Sequence, residues 1–191
     1  MSNGSLIGLV GRKRVGKDTV AESLNVHRSF RRLAFADALK QVVYDTDAVI
    51  GWDIINYRPR RLQDYVDRFG WEKAKDDHPE VRRLLQAVGV AVRDNVSPTA
   101  WVDVVAGLAE DIREEGGNVV ITDVRFPNEA ELVENWGGTL VRVTRPGLPQ
   151  DDLHISETAL DAWPCDHTIQ NDGSLEDLDR QVALLISREE I

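Results

Sequence analysis

The stretch Gly11-Arg12-Lys13-Arg14-Val15-Gly16-Lys17-Asp18-Thr19 constrains this chain more than any other. It fits the pattern G-x-x-x-x-G-K. It also lies between an apolar run, Leu6 to Val10, and a helical pattern that opens at about Lys17. Strand, glycine turn and helix in that order form a phosphate cradle: the glycines let successive backbone N–H groups wrap a phosphate, and the helix start adds partial positive charge. Lys17 is placed to reach β- and γ-phosphate oxygens. The loop residues Gly11, Lys13, Arg14, Gly16, Lys17, Asp18 and Thr19 are therefore candidates for holding a nucleotide. Asp18 stands where Ser or Thr usually offers a hydroxyl to Mg²⁺. Two readings stay open: Asp18 is itself a hard oxygen ligand, or Thr19 supplies the hydroxyl while Asp18 only favours the helix start.

The rest of the chain has the rhythm of βαβ units. Arg32–Ala36, Val119–Thr122, Thr139–Thr144 and His167–Gln170 read as further strands, with a helix opening at Asp37 and another near Pro127. Five strands with intervening helices imply a three-layer α/β domain with a parallel sheet. Ser174-Leu175-Glu176-Asp177 has capping-box form ahead of an apolar stripe, Leu175, Leu178, Val182, Leu185 and Ile186. Between the second and third strands, about residues 62–115 read as helical and form an inserted lobe. Arg145-Pro146-Gly147-Leu148-Pro149-Gln150 reads as a hinge-like loop.

Charge narrows the function. The chain has 191 residues with 23 Lys+Arg against 33 Asp+Glu, a net charge of −10. An extended basic face for a nucleic-acid polymer is not expected from that balance, although a phosphate pocket is compatible with it. The basic residues concentrate early: residues 1–61 hold eleven basic and six acidic side chains, whereas 151–191 hold two and eleven. The single Cys165 allows no internal disulfide, and the basic residues follow the first apolar run, the reverse of a secretory signal. No window approaches the roughly 18 apolar residues of a membrane span. A cytoplasmic protein without a membrane partner is the expectation.

Asp123 follows the Val119–Thr122 run, at the sheet end where open α/β folds carry ligands. It reads as a Mg²⁺ carboxylate or, alternatively, as a cap for the helix near Pro127. Arg125 stands beside it. On the central helix, Arg82, Gln86, Gly89 and Arg93 share one stripe. That stripe reads either as a surface a small anion can approach or as a solvated flank.

The loop ending Gly16-Lys17-Asp18-Thr19, Phe35-Ala36-Asp37-Ala38-Leu39-Lys40, Leu85-Gln86-Ala87-Val88-Gly89 with Arg93 and Trp101, Asp123-Val124-Arg125-Phe126-Pro127-Asn128-Glu129 and His154-Ile155-Ser156-Glu157 occur in this order. Together they resemble the deoxynucleoside monophosphate kinases of tailed bacteriophages, from about residue 6 to Asn171-Asp172-Gly173. The resemblance implies one domain over 1–191, a three-layer P-loop kinase fold with a five-stranded parallel sheet, a helical substrate-binding insertion (about 41–115) and a lid (about 145–160). It implies ATP and Mg²⁺, with Asp18 and Asp123 on the metal and Asn171 by the adenine. Asp37, Lys40, Gln86, Gly89, Arg93, Trp101 and Arg125 would bind the acceptor. Lys17, Asp123, Arg125 and Arg145 would be catalytic, while Arg142, Arg145, His154, Ser156 and Glu157 would border the lid. The partners are small molecules, ATP and a deoxynucleoside monophosphate. The family includes dimers, so a homodimer is compatible, and a phage-encoded chain would work in the host cytoplasm.

Transfer between two phosphates needs no strong general base, because the acceptor oxygen is already ionised. Alignment and charge compensation must supply the catalysis. Many Arg and Lys residues at motif positions, with no nucleophile–histidine pair, agree with that chemistry. Two alternatives use the same loop: a small-metabolite kinase of phosphomevalonate or dephospho-coenzyme A type, and a non-catalytic ATP-binding regulator.

Overall fold

The computed structural model describes residues 4–148 and 158–188. Residues up to Phe35, together with those from Val102 onward, form one compact unit, and Ala36–Trp101 form another.

The first unit is built on a five-stranded sheet of β1 (Leu6–Val10), β2 (Arg31–Leu33), β5 (Val119–Val124), β6 (Thr139–Thr144) and β7 (His167–Gln170), in the order β2-β5-β1-β6-β7. Every pairing is parallel, with Ile7 opposite Val120 on one side and Thr139 on the other. β1 is central, and all five of its residues are buried. Its side chains alternate between two cores, as the strand period requires. Ile7 and Leu9 pack with Val20 and Leu24 of α1 (Lys17–Arg28) and with Leu178 and Val182 of α7 (Leu175–Arg188). Leu6 and Val10 face the other layer, with Val105 and Ile112 of α5 (Ala100–Glu114) and Val133 of α6 (Pro127–Asn135). The capping box at α7 forms as its sequence implies: the Asp177 N–H donates to Ser174 Oγ at 3.2 Å, and the Ser174 N–H donates to Asp177 Oδ2 at 3.1 Å.

Parallel strands place all their C-terminal ends on one edge. Gly11, Phe35, Asp123, Arg145 and Asn171, far apart in sequence, follow or end strands at that edge. One boundary departs from the sequence expectation. β2 stops at Leu33 and α2 (Phe35–Asp45) begins two residues before Asp37. Its first N–H finds a partner far along the chain, because Asp123 Oδ1 accepts the Phe35 N–H at 2.8 Å.

The second unit combines α2 with a hairpin of β3 (Val49–Asp53) and β4 (Arg58–Arg61) and with two helices, α3 (Leu62–Asp77) and α4 (Pro79–Asn95). Its core is Val43, Ile50, Leu62, Ala74 and Val81. The sequence reading of 41–115 as helical gave no hairpin; this unit has one, and α5 from Val102 belongs with the sheet.

Candidate phosphate-binding site

The turn between β1 and α1 is fixed at three points. The Val15 side chain is buried in the core of the first unit. Gly11 sits so close to β6 that a Cβ there would lie 2.4 Å from the Val143 carbonyl oxygen. Gly16 has φ +105°, and a Cβ would lie 2.4 Å from Asn171 Nδ2. No other residue meets both demands without distorting the backbone. Asn171, at the end of β7, donates through Nδ2 to the Val15 carbonyl at 2.8 Å and so ties the loop to the far side of the sheet. Sequence reasoning put Asn171 by the adenine; the contact described is with the loop itself.

Lys17 is the buried cation of this turn, 8% exposed. Its Nζ donates to the carbonyls of Gly11 at 2.6 Å and Arg12 at 3.0 Å. A buried ammonium needs such acceptors, since desolvating it unpaired costs several kcal/mol or more. Lys13 and Arg14 are exposed, and Thr19 is half-buried. Asp18 points to solvent, with its side chain 83% exposed and its Oδ1 3.5 Å from Arg32 Nε.

Above the loop lies a cavity of about 270 Å³, lined among others by Arg12, Lys13, Arg125, Arg142, Arg145 and Asp161. Arg12 Nη2 is ion-paired with Asp161 Oδ2 at 2.5 Å. Arg142 donates to the carbonyls of Leu160 at 3.0 Å and Trp163 at 2.6 Å, so its guanidinium fastens that turn to β6. Arg145 is exposed at the cavity wall. His154, Ser156 and Glu157 of the expected lid lie outside the described residues.

Arg125 is held by a residue to which the sequence reading gave no role. Glu129, the third residue of α6, is 8% exposed, and its Oε2 accepts the N–H groups of Arg125 at 2.7 Å and Phe126 at 3.1 Å. Burial pushes its carboxyl up to about 7, against those two N–H donors. The E of the R-F-P-N-E segment, at the third position of a helix, is the capping signal that could have identified it. Asp123 Oδ1 caps the start of α2 through the Phe35 N–H.

Within the second unit, Lys40 Nζ donates to Asp37 Oδ1 at 3.0 Å. Both line a recess of about 280 Å³ with Tyr44, Val66 and Trp71. Gln86 is exposed and Arg93 half-buried on α4. Gly89 is buried: a Cβ there would be 3.2 Å from Leu39 Cδ2, and Trp101 Nε1 donates to its carbonyl at 3.3 Å. The missing side chain thus admits Leu39 rather than leaving an open gap. Arg82 turns to Lys75 O at 2.9 Å and Asp76 Oδ1 at 2.6 Å, fastening the α3–α4 corner.

Among the described residues no three His, Cys, Asp or Glu side chains cluster to hold a metal alone. The oxygen donors at the sheet edge, Asp123 with Asp18 or Thr19, fit an ion that draws its other ligands from phosphates and water, as Mg²⁺ does. A glycine loop ending in a buried lysine, set after the central strand of a parallel sheet, defines a P-loop nucleotide-binding fold.

The comparisons specify the class further. A family model described as deoxynucleotide monophosphate kinase matches residues 61–182. A protein of Acanthamoeba polyphaga mimivirus, provisionally named a deoxynucleotide monophosphate kinase, is 31% identical over 165 residues, 81% of each chain. The deoxynucleotide monophosphate kinase of Enterobacteria phage T4 is 35% identical over 105 residues, covering 54% of this chain and 44% of the phage enzyme. Among solved structures, dephospho-CoA kinase from Campylobacter jejuni superposes with a TM-score of 0.52 over 97% of both chains at 13% identity, a likeness of fold. The chain belongs to the deoxynucleotide monophosphate kinase family.

Proposed function

We propose that this protein transfers the γ-phosphoryl group of ATP to a deoxynucleoside monophosphate. The P–O bond to the ATP β-phosphate breaks as an acceptor phosphate oxygen bonds to the γ-phosphorus, giving ADP and a deoxynucleoside diphosphate. The observation that carries the reading is Lys17, buried in a glycine loop with its ammonium on the Gly11 and Arg12 carbonyls. Gly11, Lys13, Arg14, Gly16, Lys17 and Thr19 hold the donor phosphates, and Asn171 keeps the loop in shape. Asp123, with Asp18 or Thr19, holds the Mg²⁺ that arrives with ATP and supplies charge neutralisation there. Asp37, Lys40, Gln86, Arg93, Trp101 and Arg125 serve the acceptor, with Gly89 setting the α2–α4 approach through Leu39. Arg125 and Arg145 offset charge that develops on the transferring group, the usual source of rate in this chemistry.

The reading describes a cytoplasmic enzyme of small-molecule substrates, compatible with a homodimer and independent of nucleic-acid polymer or membrane. The likeness to a dephospho-CoA kinase lies at the level of fold and does not favour that acceptor. ADP formation measured with each deoxynucleoside monophosphate, with phosphomevalonate and with dephospho-coenzyme A decides the matter. Turnover confined to the deoxynucleotides is expected. Faster turnover with either other acceptor, or tight ATP binding with no acceptor-dependent turnover, would overturn the assignment.

A further inference from the structure

The second unit gathers positive charge at a place the acceptor reading does not use. In a chain of net charge −10, β4 carries Arg58, Arg60 and Arg61, and α3 adds Arg68. Strand alternation puts Arg58 and Arg60 on one face of the hairpin. Tyr65, Arg68 and Phe69 share one face of α3 by their i, i+3, i+4 spacing. These residues line a cavity of about 330 Å³, whose wall also includes Asp53 and Asp64.

The carboxylates offset it only in part: the Arg58 charge acts on Asp53, yet four arginines face two aspartates. Asp53 is engaged with the Ile55 and Asn56 N–H groups, at 3.0 and 3.1 Å, and with Asn56 Nδ2 at 2.8 Å. Arg61 is committed elsewhere, donating to the Asp47 carbonyl at 3.0 Å. Among the described residues, no carboxylate oxygen lies within 4.0 Å of a guanidinium nitrogen of Arg58, Arg60 or Arg68. Two of these three are held by aromatic neighbours instead. The Arg60 guanidinium carbon is 5.8 Å from the centre of the Tyr65 ring, with Nη1 3.4 Å from His78 Nε2, and that of Arg68 is 5.1 Å from the centre of the Phe69 ring. A guanidinium over a ring keeps its N–H edge available for a planar or tetrahedral oxyanion. Three like charges on one concavity repel, and a chain with a surplus of carboxylates could have paired them. A flexible anion with several oxygens relieves that repulsion through bidentate contacts.

We propose that this cavity is a second anion site, which takes the phosphate chain of a nucleoside di- or triphosphate. It stands on the arginine geometry alone and does not rest on the assigned activity. If that activity holds, the ligand class includes the reaction's own product and its triphosphate, so the site makes the enzyme responsive to them.

The test is calorimetric titration of the full chain with inorganic tripolyphosphate, using wild type, Lys17→Ala, and Arg58→Ala with Arg68→Ala together. Lys17→Ala should retain a salt-sensitive binding event. The double arginine variant should lose that event by about tenfold or more, while its melting temperature and its basal kcat and KM stay unchanged. Arg58→Lys with Arg68→Lys should restore part of the binding. Equal tripolyphosphate affinity in wild type and the double arginine variant would overturn the proposal. So would a selective rise in the acceptor KM, which would make the arginines part of the acceptor site. Binding of a single-stranded oligonucleotide through the same arginines, without tripolyphosphate binding, would overturn it as well.

Discussion

Asp123 and Phe35 are 88 residues apart, yet Asp123 Oδ1 accepts the Phe35 N–H at 2.8 Å. The carboxylate proposed for the metal is thus also the cap of α2, on a strand that pairs with β2. The two roles separate by substitution. Asp123→Asn keeps an oxygen for the N–H and loses the charge, so it should retain stability while kcat falls by about two orders of magnitude or more. Asp123→Ala should lose the same activity and an additional ~0.5–2 kcal/mol of stability, the usual cost of a lost cap. Urea unfolding beside steady-state kinetics measures both, and equal stabilities for the two variants would remove the capping role.

Glu129 gives the fold a pH dependence. Burial raises its carboxyl from the ordinary 4.5 to about 7, so the folded chain binds this proton more tightly than the unfolded chain does. The resulting stability is full below about pH 4.5 and is lost as pH climbs through about 7. Glu129→Gln keeps an acceptor for the Arg125 and Phe126 N–H groups and cannot ionise. Relative to this variant, wild type should become progressively less stable between about pH 4.5 and 7, with a constant difference above that. Parallel curves of unfolding free energy against pH would refute the shift.

Asn171 holds the Val15 carbonyl, so removing its amide frees the loop without touching the acceptor residues. Asn171→Ala should raise the KM for ATP by about three- to tenfold, the cost of one lost hydrogen bond of roughly 0.5–1.5 kcal/mol. The KM for the deoxynucleotide should stay close to wild type. If the acceptor KM rises equally, Asn171 does more than position the loop.

Arg142 donates to two carbonyls, that of Trp163 and that of Leu160, which also accepts the Trp163 N–H at 3.1 Å. Arg142→Ala should cost about 1–3 kcal/mol, the penalty for leaving the partly buried Trp163 carbonyl without its main donor. Thermal unfolding against wild type reads this directly, and an unchanged midpoint would contradict it.

What the sequence made legible was local. Leu6–Val10, Thr139–Thr144 and His167–Gln170 announce themselves as strands by apolar content and flanking turns, and the structure has strands at those residues. The loop from Gly11 to Lys17 was readable because its pattern and its strand–helix setting are contiguous. The less legible features depend on contacts over long separations. The start of α2 at Phe35 requires Asp123, and the role of Asn171 requires the β7 end to reach Val15, across 156 residues. The hairpin of Val49–Asp53 and Arg58–Arg61 escaped because β4 is three arginines and a proline and the pairing is irregular between Val49 and Gly51, so the alternation that marks a half-buried strand is lacking. Gly89 read as part of an accessible stripe on a helix surface because nothing local signals that Leu39 packs against it.

Lys17→Ala tests the central claim most directly, with acceptor-dependent ADP formation and the unfolding midpoint measured on the same preparation. The ammonium sits on the Gly11 and Arg12 carbonyls of its own loop. The account therefore predicts that kcat/KM for ATP collapses by at least about a thousandfold while the midpoint moves by only a few degrees. Near wild-type turnover in a folded Lys17→Ala protein would contradict it.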